Sequence, residues 1–304
     1  MDKQNKDIII SHKNCIDGKA SVWISQKFNP KAMVIYIDAG QTVNIDSNFT
    51  PDKNVLCIDV IPVNLGEITT IVKSVTIIDH HSNNRKYRYD PLSDELKSKI
   101  TIFMSDDACA VKLTWKFFYE NEDYPLILEV IDDGDRYVWK NPNSKALSQT
   151  WIKKRYNVVD GFESILNLKP LEISEDIVFG NKLLDDWNVE VENYVKNALI
   201  ADMYNLDDEF ICTCYLCPTT QHRSDVGNTL VNNSKDIKLC AFYVYDCLSD
   251  EWRINLRSHK SVNCAVIAQM FPLGGGHPEA SGLILPKGVH LKNVFRNVRN
   301  VSKS

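Results

Sequence analysis

Ser74–Ser82 reads SVTIIDHHS, and the rest of the chain is organised around it. Val75, Thr76, Ile77 and Ile78 make a β-branched run suited to a buried strand. The run stops on Asp79, His80 and His81. Three titratable side chains at the end of a buried strand are poor core material. They are good material for a site, because in open α/β sheets ligands bind beyond the carboxyl ends of the strands.

Upstream stretches repeat the pattern. Asp7–Ser11 (DIIIS) reads as a strand that runs into His12 and the polar loop HKNCIDG, and Asn54–Asp59 (NVLCID) reads as a strand closed by a carboxylate. Ala32–Ile37 and Lys99–Met104 complete a set of five strands. Helical spacing over Lys19–Phe28, with Ala20, Trp23, Ile24 and Phe28 on one face, alternates with them. This alternation predicts an α/β fold with a mostly parallel sheet covered by helices. His12, Asp59 and Asp79 should then emerge at the same sheet edge. Ser105 is placed to cap a helix from Asp106 to about Asn121. Pro125 starts another that runs out at Asp132-Asp133-Gly134-Asp135, where carboxylates repel one another unless cations or hydrogen bonds compensate. Helices are also expected over Lys145–Arg155 and from Glu175 to about Met203.

From Glu209 the pattern changes to strand-like runs at 210–216, 237–245 and 252–257, mixed with helical stretches at 226–232 and 263–271. A last strand at 281–285 and a terminal helix from about His290 follow. The expected domains are 1–160, a helical connector over 161–207, and a smaller α/β domain over 208–304.

Composition narrows the function. The 304 residues are 44% hydrophobic and 25% charged, which is ordinary for a globular chain. A net charge of −5 does not advertise the basic surface that grips long nucleic acid, so a short phosphorylated substrate is expected rather than a long duplex. No apolar stretch reaches spanning length and the N-terminus has no secretory pattern, so no membrane and a cytoplasmic location are expected. Nine Cys, mostly within apolar runs, fit reduced thiols. Cys212, Cys214 and Cys217 lack the paired spacing of a zinc site.

His12, Asp17, Asp59, Asp79, His80, His81 and Asp133 form a carboxylate and imidazole set that suits Mn²⁺, Mg²⁺ or Co²⁺ better than a thiolate-loving metal. Two metals would clamp a phosphate. Gly274-Gly275-Gly276-His277 offers backbone N–H groups that can approach an anion closely, and Arg257, closing WRINLR, offers a bidentate phosphate contact.

Together these stretches resemble the DHH phosphoesterase family with its associated C-terminal domain. Asp79-His80-His81 is similar to the motif that names the family, and Gly274–Gly282 (GGGHPEASG) to its C-terminal substrate-binding signature. LRS at 256–258 looks like the strand before that signature. His12–Gly18, Asp59 and Asp133–Asp135 resemble the first, second and fourth motifs. The resemblance covers nearly the whole chain, with the motifs in order. It implies an oligoribonuclease or cyclic-dinucleotide phosphodiesterase with two domains and a cleft between them. Two Mn²⁺ ions would be held by His12, Asp17, Asp59, His80 and Asp133, with Asp59 bridging. His81 would contact the scissile phosphate, Asp79 would orient the histidines, and Arg257, Gly275, Gly276 and His277 would bind substrate phosphate. Hydrolysis of pyrophosphate-type anhydrides, or nucleotide binding without catalysis, remain alternatives, and a homodimer is left open. One departure stands out. Many members carry two carboxylates in the first motif, whereas this chain has Asp17 alone, with Cys15 at the other position.

Overall fold

Each β-branched run of the first half becomes a strand of one sheet. In this computed structural model, which describes residues 5–13, 15–120, 122–154, 161–219 and 221–301, the chain forms two compact units, Met1–Leu184 and Asp185–Ser304.

In the first unit, β1 (Ile8–His12) leads into α1 (Ile16–Phe28), β2 (Met33–Ile37), β3 (Asn54–Ile58), α2 (Leu65–Ile71) and β4 (Ser74–Asp79). The short helices α3 (Ser82–Asn84) and α4 (Asp94–Ser98) flank a π-helical turn over Arg85–Tyr89, ahead of β5 (Ile100–Met104). The five strands pair in parallel in the order β2-β1-β3-β4-β5. Their period of two sends alternate residues to opposite faces. Leu56 and Ile58 enter a core with Ile24, Ala110 and Ile131, while Val55 and Cys57 join Leu65 and Ile68 on the other face. Burial on both faces explains the near-continuous apolar runs.

The helices of the first core are α5 (Ala110–Tyr119), α6 (Leu126–Asp135), α7 (Ser144–Lys154), α8 (Gly161–Leu166) and the start of α9 (Pro170–Lys196). The helix expected from Asp106 begins four residues later, because its cap is not local. Ala110 and Val111 donate their N–H groups to the two oxygens of Asp17 (2.8 and 2.6 Å), and Cys109 N–H donates to Asp132 (2.8 Å). The helix ends at Tyr119; the expected end at Asn121, Arg155 and the 160 boundary lie outside the described residues.

The second unit contains β6 (Leu199–Tyr204), β7 (Phe210–Cys217), α10 (Arg223–Asn233), β8 (Leu239–Asp246) and β9 (Glu251–Ser258). These are followed by α11 (Cys264–Ala268), β10 (Gly275–His277), β11 (Ala280–Ile284), α12 (Leu291–Val294) and β12 (Phe295–Asn300). Its seven strands run β10-β11-β9-β8-β7-β6-β12, and only the β7–β8 pair is parallel. Two expectations are corrected here. The helix read from Glu175 to Met203 stops at Lys196, and 199–204 is a strand. The terminal helix is a single turn before β12. Both strands pair with each other, and β6 also pairs with β7, a non-local ladder that overrides local helical propensity. Among the described residues no helix is long and apolar enough to cross a membrane.

Candidate metal centre

A parallel sheet delivers all its strand ends to one edge, and the side chains that follow β1, β3 and β4 meet there. Asp59 is at the centre. Its N–H still bonds to Ile78 O of β4 (3.0 Å), then a left-handed backbone (φ 60°) turns the chain away. Asp and Asn tolerate this conformation better than most side chains. Asp59 is 2% exposed, and among the described residues neither carboxylate oxygen accepts a hydrogen bond. The nearest groups are imidazoles. His12 Nδ1 lies 3.3 Å from Oδ2, while His80 Nε2 and His81 Nδ1 lie 3.5 and 3.7 Å from Oδ1. The two oxygens thus face two sets of donors. Burial pushes this carboxyl up, but the histidines outweigh it and hold it well below the usual range.

On the Oδ2 side, His12, Cys15 and Asp59 bring one ligand atom each within 4.8 Å of one another. Cys15 immediately precedes α1, so the short loop after β1 carries it to the His12 side of the centre. Burial, then the charges of Asp59 and Asp17, push its thiol far up. On the Oδ1 side, Asp17, His80 and Asp135 form a second such group. His80 Nε2 is 3.4 Å from Asp135 and 3.8 Å from Asp17. Burial raises both acids, and for Asp17 the neighbouring Asp59 and Asp135 add to it.

Asp79 does a different task. Its Oδ1 accepts from the N–H groups of His80 (2.7 Å) and His81 (3.1 Å) and pairs with His81 Nδ1 (2.7 Å), while Oδ2 accepts from Asn84 (2.8 Å). Every lone-pair direction it uses fixes the loop that carries the histidines. Burial works against the His81 cation, but Asp79 overrides this and takes it up to about 9.

Asp133 stands apart from these groups. The sequence places it among the ligands, but its carboxylate accepts from Lys140 N–H (3.0 Å), Asn141 N–H (2.9 Å) and Ser144 Oγ (2.6 Å), closing the turn into α7. These contacts hold its pKa down against burial. Asp135, two residues on, faces the histidines instead. Residues two apart on a helix point about 200° apart, so only one of the pair can face a given group. A signal for Asp135 does exist in the sequence: it follows the buried Ile127 and Ile131 of α6 at i, i+4, i+8 spacing.

The residues present fit a divalent-cation site. Asp17 and Asp59 are buried and Asp135 lies exposed beside them, Asp59 has no hydrogen bond at either oxygen among the described residues, and imidazoles complete a donor set of hard oxygen and borderline nitrogen.

The other group of expected residues lies in the second unit. Arg257 on β9 pairs with Ala280 on β11, which pairs with His277 on β10, so the three share one face of the sheet. The glycines are not a loop; Gly275 and Gly276 form the edge strand. A Cβ on Gly274 would sit 1.7 Å from Ala268 O, and one on Gly276 (φ 139°) would sit 2.6 Å from Ser281 Cα, whereas one on Gly275 meets nothing within 4 Å. Gly274→Ala and Gly276→Ala should therefore each cost at least about 2 kcal/mol of stability. Gly275→Ala should cost under about 1 kcal/mol and instead weaken nucleotide binding, since nothing but a ligand needs its backbone bare. Thermal melts and nucleotide titrations of the three variants check this. Unchanged binding in Gly275→Ala would count against a ligand there.

No protein-family model matches the chain. A curated relative, an uncharacterized protein of Acanthamoeba polyphaga mimivirus, is 24% identical over 298 residues, spanning 92% of this chain and 68% of its own. Among solved structures, the chain is similar to an exopolyphosphatase-related protein of Bacteroides fragilis (TM-score 0.47, 14% identity, 95% of this chain and 89% of that one). It is also similar to the pGpG-specific phosphodiesterase PggH of Vibrio cholerae (TM-score 0.44, 12% identity, 92% and 93%). A third is RecJ of Thermus thermophilus in complex with Mn²⁺ (TM-score 0.46, 12% identity, 92% of this chain but 49% of RecJ).

Proposed function

We propose that the chain is a divalent-metal-dependent hydrolase that cuts the phosphodiester bond of short oligonucleotides or dinucleotides, cyclic ones included, with Mn²⁺ as the preferred ion. The observation that carries this reading is the buried Asp59 carboxylate, without a hydrogen bond at either oxygen and ringed by three imidazoles. A buried charge left in this state is costly unless cations compensate it.

His12 and Asp59, with Cys15 beside them, would hold one ion, and Asp17, Asp59, His80 and Asp135 a second. When bound, divalent cations supply Lewis acidity toward phosphoryl oxygens and a nucleophile at neutral pH. The protein's own groups do the rest. Asp79 holds the His80–His81 turn in place, so His81 would meet the scissile phosphate with its ring orientation fixed. Asp17, tied to the start of α5, places its carboxylate without side-chain freedom to lose. Arg257 and His277 would bind a phosphate of the substrate away from the reacting bond. The net charge of −5 fits a short substrate better than a long duplex.

Short RNA, a cyclic dinucleotide and pyrophosphate, each assayed with Mn²⁺ and with chelator, test the reading. Diester cleavage that needs the metal is expected. Cleavage of pyrophosphate alone, or cleavage indifferent to chelator, would overturn it. Within this scheme, Arg257→Ala and His277→Ala should raise KM for an oligonucleotide about tenfold or more, with kcat little changed and hydrolysis of bis(p-nitrophenyl) phosphate nearly unaffected. A remote phosphate contact stabilises ground and transition states alike. Equal losses on both substrates would move these groups to the reacting centre.

A further inference from the structure

We infer that Cys15 is a metal ligand, and that its sulfur makes the His12–Cys15–Asp59 group a Zn²⁺ position while the Asp17–Asp59–His80–Asp135 group keeps the preference for Mn²⁺. The inference rests on the reading of this cluster as a metal centre and divides that centre into two unlike halves.

The two sides of Asp59 present different donors. On the Oδ1 side the carboxylates of Asp17, Asp59 and Asp135 surround the imidazole of His80, and an oxygen-rich set of this kind suits Mn²⁺ or Mg²⁺. On the Oδ2 side one sulfur and one imidazole meet one carboxylate, with their ligand atoms within 4.8 Å of one another. Thiolate and imidazole together suit Zn²⁺. Three protein ligands are also the complement of a catalytic Zn²⁺ site, whose fourth position is left to water or substrate.

A thiol that only fills space is placed differently. Cys57 and Cys109 are fully buried among apolar side chains. Cys15 is half-buried, and its charged neighbours are Asp59, Asp17 and Asp135. It stands at the N-cap position of α1, where the helix dipole favours an anion over a neutral thiol. The first turn of α1 closes on Asp59: a Cβ on Gly18 would sit 2.9 Å from His12 O and 3.3 Å from Asp59 Oδ2. His12 Nδ1 lies 3.3 Å from the same oxygen. That oxygen is buried and accepts no hydrogen bond among the described residues. A divalent cation held by sulfur, imidazole and carboxylate supplies the partner it lacks. A thiolate in place of a second hard oxygen then decides which cation that is.

The test uses the full chain, stripped of metal by chelator and dialysed, on a Cys247→Ser background that removes the exposed thiol. Ser and Asp are both favoured at an N-cap, so neither Cys15→Ser nor Cys15→Asp threatens α1, and thermal midpoints in chelator check this. Co²⁺ serves as the spectroscopic probe for the Zn²⁺ position. The parent should develop a sulfur-to-cobalt charge-transfer band in the near ultraviolet, and Cys15→Ser should lose it. Calorimetry then gives the affinities for Zn²⁺ and Mn²⁺. Zn²⁺ binds more tightly than Mn²⁺ at most sites, so the change in their ratio is the readout. Cys15→Ser should weaken Zn²⁺ binding by about a hundredfold or more, beyond the loss of a group that only supports a ligand. Cys15→Asp should tighten Mn²⁺ binding and lower the Zn²⁺-to-Mn²⁺ ratio by about tenfold or more. No charge-transfer band in the parent, or a ratio unmoved by both replacements, overturns the role of Cys15 while Mn²⁺ binding keeps the metal centre. If the parent binds neither Zn²⁺ nor Mn²⁺, the metal-centre reading fails with it.

Discussion

Asp59→Asn should reduce kcat/KM with saturating Mn²⁺ by at least about 10³-fold while the protein stays folded. Asn is the informative replacement. It keeps the size of the side chain and accepts the left-handed backbone at position 59 (φ 60°), whereas Ala there would add strain of about 1 kcal/mol and confuse the result. What Asn removes is the negative charge that Oδ2 shows to His12 and Oδ1 to His80 and His81. A carboxylate shared by two ions contributes to both, and several kcal/mol of transition-state stabilisation correspond to the expected factor. Metal titration gives the same test without turnover: Mn²⁺ should raise the thermal midpoint of wild type and leave that of Asp59→Asn nearly unmoved. Near-normal hydrolysis by Asp59→Asn would sink the proposed centre.

Asp133→Asn and Asp135→Asn should fail in opposite ways. Asp133 is buried and accepts three hydrogen bonds that close the turn between α6 and α7, two from backbone N–H groups and one from Ser144. Substitution by Asn places an NH₂ against donors and removes a charge that strengthens those bonds. A loss of about 2–4 kcal/mol is expected, or a fall of several degrees in thermal midpoint, with the Mn²⁺-induced rise retained. Among the described residues Asp135 makes no comparable hydrogen bonds; its oxygen faces His80 at 3.4 Å and shares a place with Asp17. Its neutralisation relieves repulsion in the metal-free protein, so the midpoint in chelator should hold or rise slightly while the response to Mn²⁺ shrinks and activity falls by about 10² or more. The reverse pattern would restore Asp133 to the metal and assign Asp135 to the fold.

These two acids show how far the sequence carries. SVTIIDHHS, DIIISH and NVLCID each contain a strand and the polar residues that end it, and that information is local: a period of two, β-branched side chains, then an abrupt change to groups that cannot be buried unpaired. Parallel pairing of such strands leaves no choice about the edge at which His12, Asp59 and Asp79–His81 emerge. The mixed α/β class, and the gathering of these candidate ligands at one sheet edge, are therefore legible in the residues alone. So is the nearness of Cys15 to His12 and Asp59, because the loop after β1 is short.

Other features depend on which surfaces meet. In Asp132-Asp133-Gly134-Asp135 composition alone treats the acids alike. The rotational phase of α6 against the sheet sends Asp135 to the histidines, Asp133 to the α7 turn and Asp132 to Cys109 N–H and Arg136. The start of α5 is set by Asp17, 93 residues away, rather than by Ser105 beside it. Leu199–Tyr204 carries helix-compatible residues but becomes a strand because β7 and β12 offer hydrogen-bond partners along both edges. Gly274-Gly275-Gly276 looks like one flexible run, yet two of its glycines are demanded by neighbouring backbone and one is not. In each case the local sequence permits several arrangements of similar energy, and the choice among them is made by burial and by non-local hydrogen bonds, which exist only once distant segments have packed.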